Sequence, residues 1–171
     1  MTANYLIARK WAVTDRFAIT DESGMPQFDV QGRLALSRQL SIRDVAGAEV
    51  AAISRRGWST RYEIVAGGVT TEVRPRGFLG NRFEILSPGT VIEARGNFSG
   101  RQYSITKSGV QVAAVTQLRT FRERFAVEVA EGQDAVLMLA IVLVIETIRD
   151  DRRRQAGAAG AAGGAAAAAG G

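Results

Sequence analysis

Residues 134–149, DAVLMLAIVLVIETIR, contain the longest apolar run of the chain and constrain its fold more than any other feature. No polar side chain occurs between Ala135 and Ile145. Most strands have only about 3–10 residues, so the run predicts a helix of about four turns. Asp134 precedes it and Arg149 ends it, as the helix dipole favours. A helix that is apolar on every side has to be enclosed by the rest of the chain, so we expect it to form a central plug.

The alternative interpretation of this run is a membrane-spanning tail anchor. A bilayer requires about 18 or more consecutive apolar residues, and the unbroken run here has eleven. Three charged residues follow directly, namely Glu146, Arg149 and Asp150. We therefore predict a buried plug and no transmembrane segment.

The chain before the plug contains a repeat, in which an aromatic residue or Leu is followed two positions later by Ile or Val and then by a turn with Gly. Each copy predicts a hairpin, because period-2 alternation indicates a strand and Gly supplies the positive φ of a tight turn. In the last copy the plug replaces the second strand. The copies, 20–23 residues apart, begin at Phe17, Leu40, Tyr62, Phe83, Tyr103 and Phe125.

Five complete hairpins, a strand at residues 5–12 and a strand at residues 124–129 give twelve predicted strands. In residues 49–55 the alternation places Ala51 and Ile53 on one face. Small inward side chains leave room for a helix about 10 Å thick. The predicted fold is therefore mainly β, a closed twelve-stranded antiparallel barrel around a central hydrophobic C-terminal helix, since closure also removes exposed strand edges.

The domain organisation follows from composition. Residues 1–155 are predicted to form one domain, the size expected for a single core, with the plug at residues 134–149. Residues 156–171 are only Ala and Gly. Because these residues have nothing to bury, we expect a disordered tail.

The residue types that the chain lacks disfavour most enzyme classes. It has no Cys and no His, so thiol nucleophiles, the Ser-His-Asp triad and imidazole metal sites are excluded. We predict a non-enzymatic protein with no catalytic residue, no metal site and no cofactor. The absence of Cys fits a reducing compartment, and Arg9 and Lys10 interrupt the start before a signal peptide could form. The prediction is a cytoplasmic protein.

Five segments of the chain are distinctive when taken in order: FAITDESG at 17–24, LSIRDVAG at 40–47, EVAAI at 49–53, YSIT at 103–106 and FAVEVAEGQD at 125–134. With these segments the chain resembles the LURP-one-related family over residues 5–150. The resemblance implies the twelve-stranded barrel of the tubby C-terminal domain and the phospholipid scramblases. It also implies lipid-related activity as a hypothesis, since tubby proteins bind phosphoinositides. Scramblases carry membrane and calcium-binding segments that we do not find here, so lipid transport is disfavoured. Where family members often have Asp in the helix, this chain has Glu146.

Two Arg clusters are the candidate anion-binding or lipid-binding sites, on a chain with a net charge of +5. Arg74 and Arg76 lie two apart on a strand end, so both are predicted to be exposed on one side, where they could grip one phosphate. Arg55 and Arg56 form a second cluster with Arg61 and Trp58. The indole of Trp58 suits a lipid interface. The simpler interpretation of both clusters is solvated strand ends.

The sequence therefore predicts a binding module for anionic phospholipid headgroups or for a protein partner, with peripheral membrane association. The alternative is a small-ligand carrier or an enzyme that uses a cavity at one end of the barrel, although a plug leaves little room for it. Nucleic acid is not an expected partner, because no interleaved basic and aromatic stripe is present.

Overall fold

The computed structural model describes residues 1–10, 16–33, 37–77, 81–119 and 124–168, with side chains described as far as residue 160. Twelve antiparallel strands pair in chain order, and the pairing of β1 with β12 closes the barrel. This confirms the predicted fold class. The elements are β1 (Thr2–Lys10), β2 (Arg16–Asp21), β3 (Pro26–Arg33), β4 (Gln39–Asp44), β5 (Glu49–Arg55), β6 (Tyr62–Ala66), β7 (Val69–Arg76), β8 (Arg82–Ser87), β9 (Thr90–Asn97), β10 (Gln102–Lys107), β11 (Val110–Gln117), β12 (Arg124–Ala130) and α1 (Ala135–Ala168).

The repeat forms the inner wall of the barrel. The first residue of every copy is buried, and so is the Ile or Val two positions later, because alternate residues of a strand point to the same face. Small residues such as Ala51, Ala94 and Ala113 complete the wall. The buried pairs are Phe17 with Ile19, Leu40 with Ile42, Tyr62 with Ile64, Phe83 with Ile85, Tyr103 with Ile105 and Phe125 with Val127.

Helix α1 fills the interior of the barrel, as predicted. Residues 138–145 are all at most 2% exposed, so every side of the helix contacts the wall. Asp134 caps its start, since the backbone N–H of Leu137 donates to Asp134 Oδ1 at 3.0 Å. Within the described ranges, no helix is long and apolar enough to cross a membrane.

The helix extends further than the sequence indicated. It was expected to end at Arg149 and to be followed by a disordered tail, but α1 continues to Ala168. The reason is that Ala, Arg and Gln favour helix and no Pro interrupts residues 150–168. Residues 169–171 of the tail lie outside the described residues. Residues 152–160 are exposed. Each Gly of the tail lowers the stability of this helical segment by about 1 kcal/mol relative to Ala.

The barrel has two distinct ends, because antiparallel strands alternate in direction. At the end that we call the hairpin end, turns of two to four residues join β2 to β3, β4 to β5, β6 to β7, β8 to β9 and β10 to β11, and α1 enters. At the opposite end, the exit end, α1 leaves the barrel between the other loops. The first strand starts at Thr2 instead of residue 5; Trp11 and Ala12, also assigned to it, lie outside the described residues.

Candidate functional site

The topology brings both predicted Arg clusters to the exit end. Arg55 ends β5, and the loop of residues 56–61 follows it. Arg74 and Arg76 are among the last three residues of β7. Only β6 separates β5 from β7 in the sheet. The two clusters are therefore neighbours on one rim.

The side chains of Arg74 and Arg76 point to the same side of β7, but both bind a carboxylate of their own chain. Arg74 Nε lies 2.7 Å and Arg76 Nε 2.9 Å from Glu84 Oε2. Glu72 Oε1 lies 3.9 Å from a second nitrogen of Arg74. The side chain of Arg74 is only 24% exposed, so the prediction that both residues are exposed is wrong for Arg74. The reason is the register of β7 and β8, which places Glu84 directly opposite Arg74.

This arrangement changes what the Arg74 and Arg76 pair can bind. Hydrogen bonds from Arg76 and Arg74 hold the pKa of Glu84 below its usual range. Glu84 therefore stays ionised at neutral pH and offsets part of the positive charge. A phosphate group would have to compete with this carboxylate for both guanidinium groups.

The loop of residues 56–61 is folded by its own hydrogen bonds. Arg55 Nε donates to the carbonyl oxygen of Ser59 at 2.7 Å, and the backbone N–H of Arg56 donates to the carbonyl oxygen of Arg61 at 2.9 Å. Gly57 adopts a φ of 59°, which favours glycine. Arg55 therefore supports the loop instead of pointing to a ligand.

The same loop presents an indole ring and two guanidinium groups to solvent. Trp58 is 98% exposed. Arg56 is paired with Glu63 at 3.1 Å, and its side chain is 64% exposed. Arg61 is exposed and makes no ion pair with the residues that the structure describes. Of the two predicted clusters, this one retains more positive charge that a ligand can reach.

The exit end is basic well beyond the six predicted residues. Nearly all described Lys and Arg residues lie in this half of the barrel or on the emerging part of α1, and the exceptions are Arg43 and Lys107. Several pair with strand carboxylates, as Arg82 and Arg95 do with Glu93. The sequence analysis missed this asymmetry because it depends on which end of each strand carries the charge.

A buried ion pair joins α1 to the barrel wall. Arg101 Nε lies 2.8 Å from Glu146 Oε2, and the two side chains are 6% and 1% exposed. Arg101 also donates to Gln117 Oε1 at 2.9 Å, and its guanidinium carbon lies 4.7 Å from the centre of the Phe125 ring. Burial raises the pKa of Glu146, although the positive charges of Arg101 and Arg149 oppose the shift. The sequence contains no local signal for this pair, whose members are 45 residues apart.

Two further ion pairs fix α1 where it leaves the barrel. Asp150 lies 2.6 Å from Arg9, at the end of β1, and Asp151 is paired with Arg38, before β4. With the pair of Glu146 and Arg101, three carboxylates of α1 contact Arg residues from one strand end and two loops. These pairs position the emerging basic segment, residues 152–154, above the rim.

Two pockets lie beside the emerging helix. An open cleft of about 290 Å³ is lined by Arg9, Asp150, Arg153 and Arg154. A smaller pocket of about 40 Å³ lies between α1 and β5, with Tyr62 and Ile148 in its lining. Ligand pockets are mostly apolar and usually have about 300–1,000 Å³. The cleft is open and lined only by charged side chains, and the second pocket is far smaller, so neither favours the predicted alternative of a carrier or enzyme. Within the described ranges, no three Asp or Glu side chains are grouped to hold a metal ion.

Comparisons with known proteins agree with the fold. A family model described as LURP-one-related matches residues 3–146. A search of curated proteins gave no significant match. An X-ray structure of an Arabidopsis thaliana protein is similar with a TM-score of 0.67 and 18% sequence identity, covering 86% of this chain and 91% of that one. At this identity the likeness shows a shared fold.

Proposed function

We propose, from the premise that this chain belongs to the LURP-one-related family, that the barrel is a binding module whose exit end docks on anionic phospholipid headgroups. The observation that carries the proposal is Trp58, which is 98% exposed on a loop with Arg56 and Arg61. An isolated exposed indole has no stabilising role in the fold. A Trp beside cations is the combination that suits the headgroup layer of a membrane.

The charge distribution of the exit end supports the same orientation. A cytoplasmic leaflet attracts basic residues by about 1 kcal/mol for each Lys or Arg near its surface. With the exit end towards the membrane, the emerging residues Arg153 and Arg154 also approach the headgroups. Arg74 and Arg76 contribute less in this proposal, because Glu84 offsets their charge.

A protein partner is the second candidate for the same surface, since Trp and Arg also dominate protein interfaces. The two candidates differ in what they require. A membrane needs only a layer of negative charge and an interface for the indole, whereas a protein needs a complementary shape. Vesicles of defined composition therefore separate them.

The test is sedimentation of the full chain with vesicles of phosphatidylcholine alone, or containing phosphatidylserine or a phosphoinositide, at low and high salt. We expect binding only to the anionic vesicles and a steep loss at high salt. Arg56→Gln with Arg61→Gln should cost about 2 kcal/mol, roughly thirtyfold in affinity. Trp58→Ala should weaken binding at both salt concentrations, because the indole contributes through burial.

The matched control is Arg74→Gln with Arg76→Gln, which removes the same formal charge from the neighbouring strand. We expect roughly threefold weaker binding or less, because Glu84 already holds both guanidinium groups and they contribute little to headgroup binding. The small loss that remains comes from the negative charge of Glu84, which the variant leaves unpaired. Thermal melts check that every variant is folded. Absence of parent binding at low salt, or full binding by the Arg56 and Arg61 double variant, refutes the membrane surface and leaves a protein partner.

A further inference from the structure

The hairpin end carries a recurrent apolar feature that neither the fold nor the exit end explains. Single exposed aliphatic residues are normal on a protein surface. Here one recurs at each of the five turns between consecutive strands at this end, where it contacts solvent instead of the core. These residues are Met25, Val45, Val69, Val91 and Val110, which are 61%, 76%, 43%, 50% and 67% exposed.

These five residues lie at the hairpin tips, at the end of the barrel where α1 enters, and Val91 points to the outer face because its neighbour Ile92 points inward. The first turn of the helix lies at this end with Ala135, Val136 and Leu137, which are only partly buried. Because successive hairpins follow one another around a closed barrel, the five tips form a ring and not a line. The hairpin end thus combines an apolar rim with an apolar centre.

The charge of this end is opposite to that of the exit end. Its described basic groups are Arg43, Lys107 and the amino terminus, which is bound to Glu131 at 3.0 Å. Its carboxylates lie in the turns and at strand ends, beside the apolar tips. They are Asp21, Glu22, Asp44, Glu49, Glu131 and Asp134.

We propose that the hairpin end is a docking surface for the exit end of a second copy of this chain. The two ends are complementary in charge. At the exit end, Arg153 and Arg154 are exposed and make no ion pair with described residues. They project on α1 beyond the rim, where the carboxylates of a neighbouring hairpin end can meet them. Because α1 continues beyond the rim to Ala168, this neighbour lies beside the emerging helix and not end-on over the barrel.

The geometry sets the strength and the form of this association. A barrel of twelve strands is roughly 25 Å across, so one end offers at most about 500 Å² to its partner, and the projecting part of α1 reduces this area further. Interfaces of this size are at the weak and transient limit. Because two different surfaces meet, the contact is head-to-tail and extends into open chains instead of closing into a symmetric pair. The proposal does not rest on membrane binding, although both use the exit end.

The test uses analytical ultracentrifugation of the full chain at increasing concentration, at low and at high salt. We expect the average mass to rise with concentration at low salt and to fall when salt is added. Val45→Ser with Val110→Ser should weaken association about tenfold or more, since two apolar contacts are lost. Arg153→Gln with Arg154→Gln should weaken it comparably by removing the complementary charge.

Mixing these two double variants is the decisive measurement, because each retains the end that the other has lost. At concentrations where the parent associates, we expect either variant alone to stay largely monomeric and the mixture to form dimers and nothing larger. A monomeric parent at every concentration overturns the proposal, and so does association that is unaffected by Val45→Ser with Val110→Ser. A mixture that stays monomeric also overturns it, since a head-to-tail contact requires rescue.

The same variants keep this proposal separate from the membrane surface. Val45→Ser with Val110→Ser leaves the exit end intact, so its binding to anionic vesicles should equal that of the parent under dilute conditions. Loss of vesicle binding in this variant would show that the hairpin end itself faces the membrane, which contradicts the assignment of the two ends.

Discussion

The two halves of the enclosed part of α1 show that one barrel encloses a helix in two physically different ways. Residues 138–145 are apolar and contact the inner wall on every side. Residues 146–151 include Glu146, Arg149 and Asp150, which are buried or partly buried and ion-paired. The first half is held by the hydrophobic effect and the second by ion pairs with Arg residues from one strand end and two loops.

The difference matters because the two kinds of burial fail differently. Each fully buried Leu, Ile, Val or Met contributes about 1.5–3 kcal/mol, so the apolar half supplies net stability. A buried ion pair contributes little net stability because of its desolvation, yet removal of one partner costs about 3–5 kcal/mol. We therefore expect the apolar half to determine whether the chain folds and the charged half to determine how α1 is positioned at the exit end.

Leu139→Asp is expected to have the largest effect and to abolish folding. Leu139 is fully buried in the apolar half, so the new carboxylate would be unpaired in the centre of the barrel. The measurement is soluble yield together with a thermal melt followed by circular dichroism. Leu139→Met is the control and should cost less than about 1.5 kcal/mol. A soluble Leu139→Asp protein with a cooperative melt would show that α1 is not enclosed.

Glu146→Leu should destabilise the protein by about 3–5 kcal/mol, because it leaves the buried guanidinium of Arg101 without its carboxylate. Replacing both residues, with Glu146→Leu and Arg101→Met, should recover most of that loss. Denaturation in urea gives the free energy of unfolding of each variant. Simple additivity of the two single changes would show that the pair does not act as a unit.

Glu146→Gln should have a smaller effect on stability. It tests how the contribution of the charged half of α1 changes with pH. Burial raises the pKa of Glu146 in the folded state. The stability contributed by its titration is therefore fully present below the pKa of the unfolded state and is lost as pH rises through the folded pKa. The parent should lose stability relative to Glu146→Gln over that interval, as urea denaturation at several pH values can measure. If the parent instead becomes more stable relative to Glu146→Gln as pH rises, the pKa of Glu146 is not raised in the folded state.

Removal of residues 156–171 is expected to leave the melting temperature unchanged within error. The described side chains of this segment, residues 156–160, are exposed, and isolated helical segments of this length are marginal in water. Amide hydrogen exchange should accordingly be fast beyond residue 156 and slow in residues 138–145. A clear drop in melting temperature on truncation would reveal a contact between the tail and the barrel.

The sequence alone determined the architecture, because its signals are local and repeat. Alternation with period 2, Gly at each turn and a run of apolar residues too short for a membrane specify twelve strands around a plug. The inner wall was identifiable as well, since residues such as Phe83 and Ile85 occupy the same positions in every copy. The end of α1 was not, because the exposed Ala-rich continuation has no stop signal.

The tertiary structure decided the chemistry of the two ends. Strand register placed Glu84 opposite Arg74. The pair of Arg74 and Arg76, which the sequence suggested was available for a phosphate, is therefore already bound to Glu84. Closure of the barrel brought Arg101 to Glu146 and gathered most Arg residues at the exit end. The physical reason is that side-chain periodicity fixes which face a residue occupies, whereas the partner across a strand or helix depends on register and closure, which long-range pairing sets.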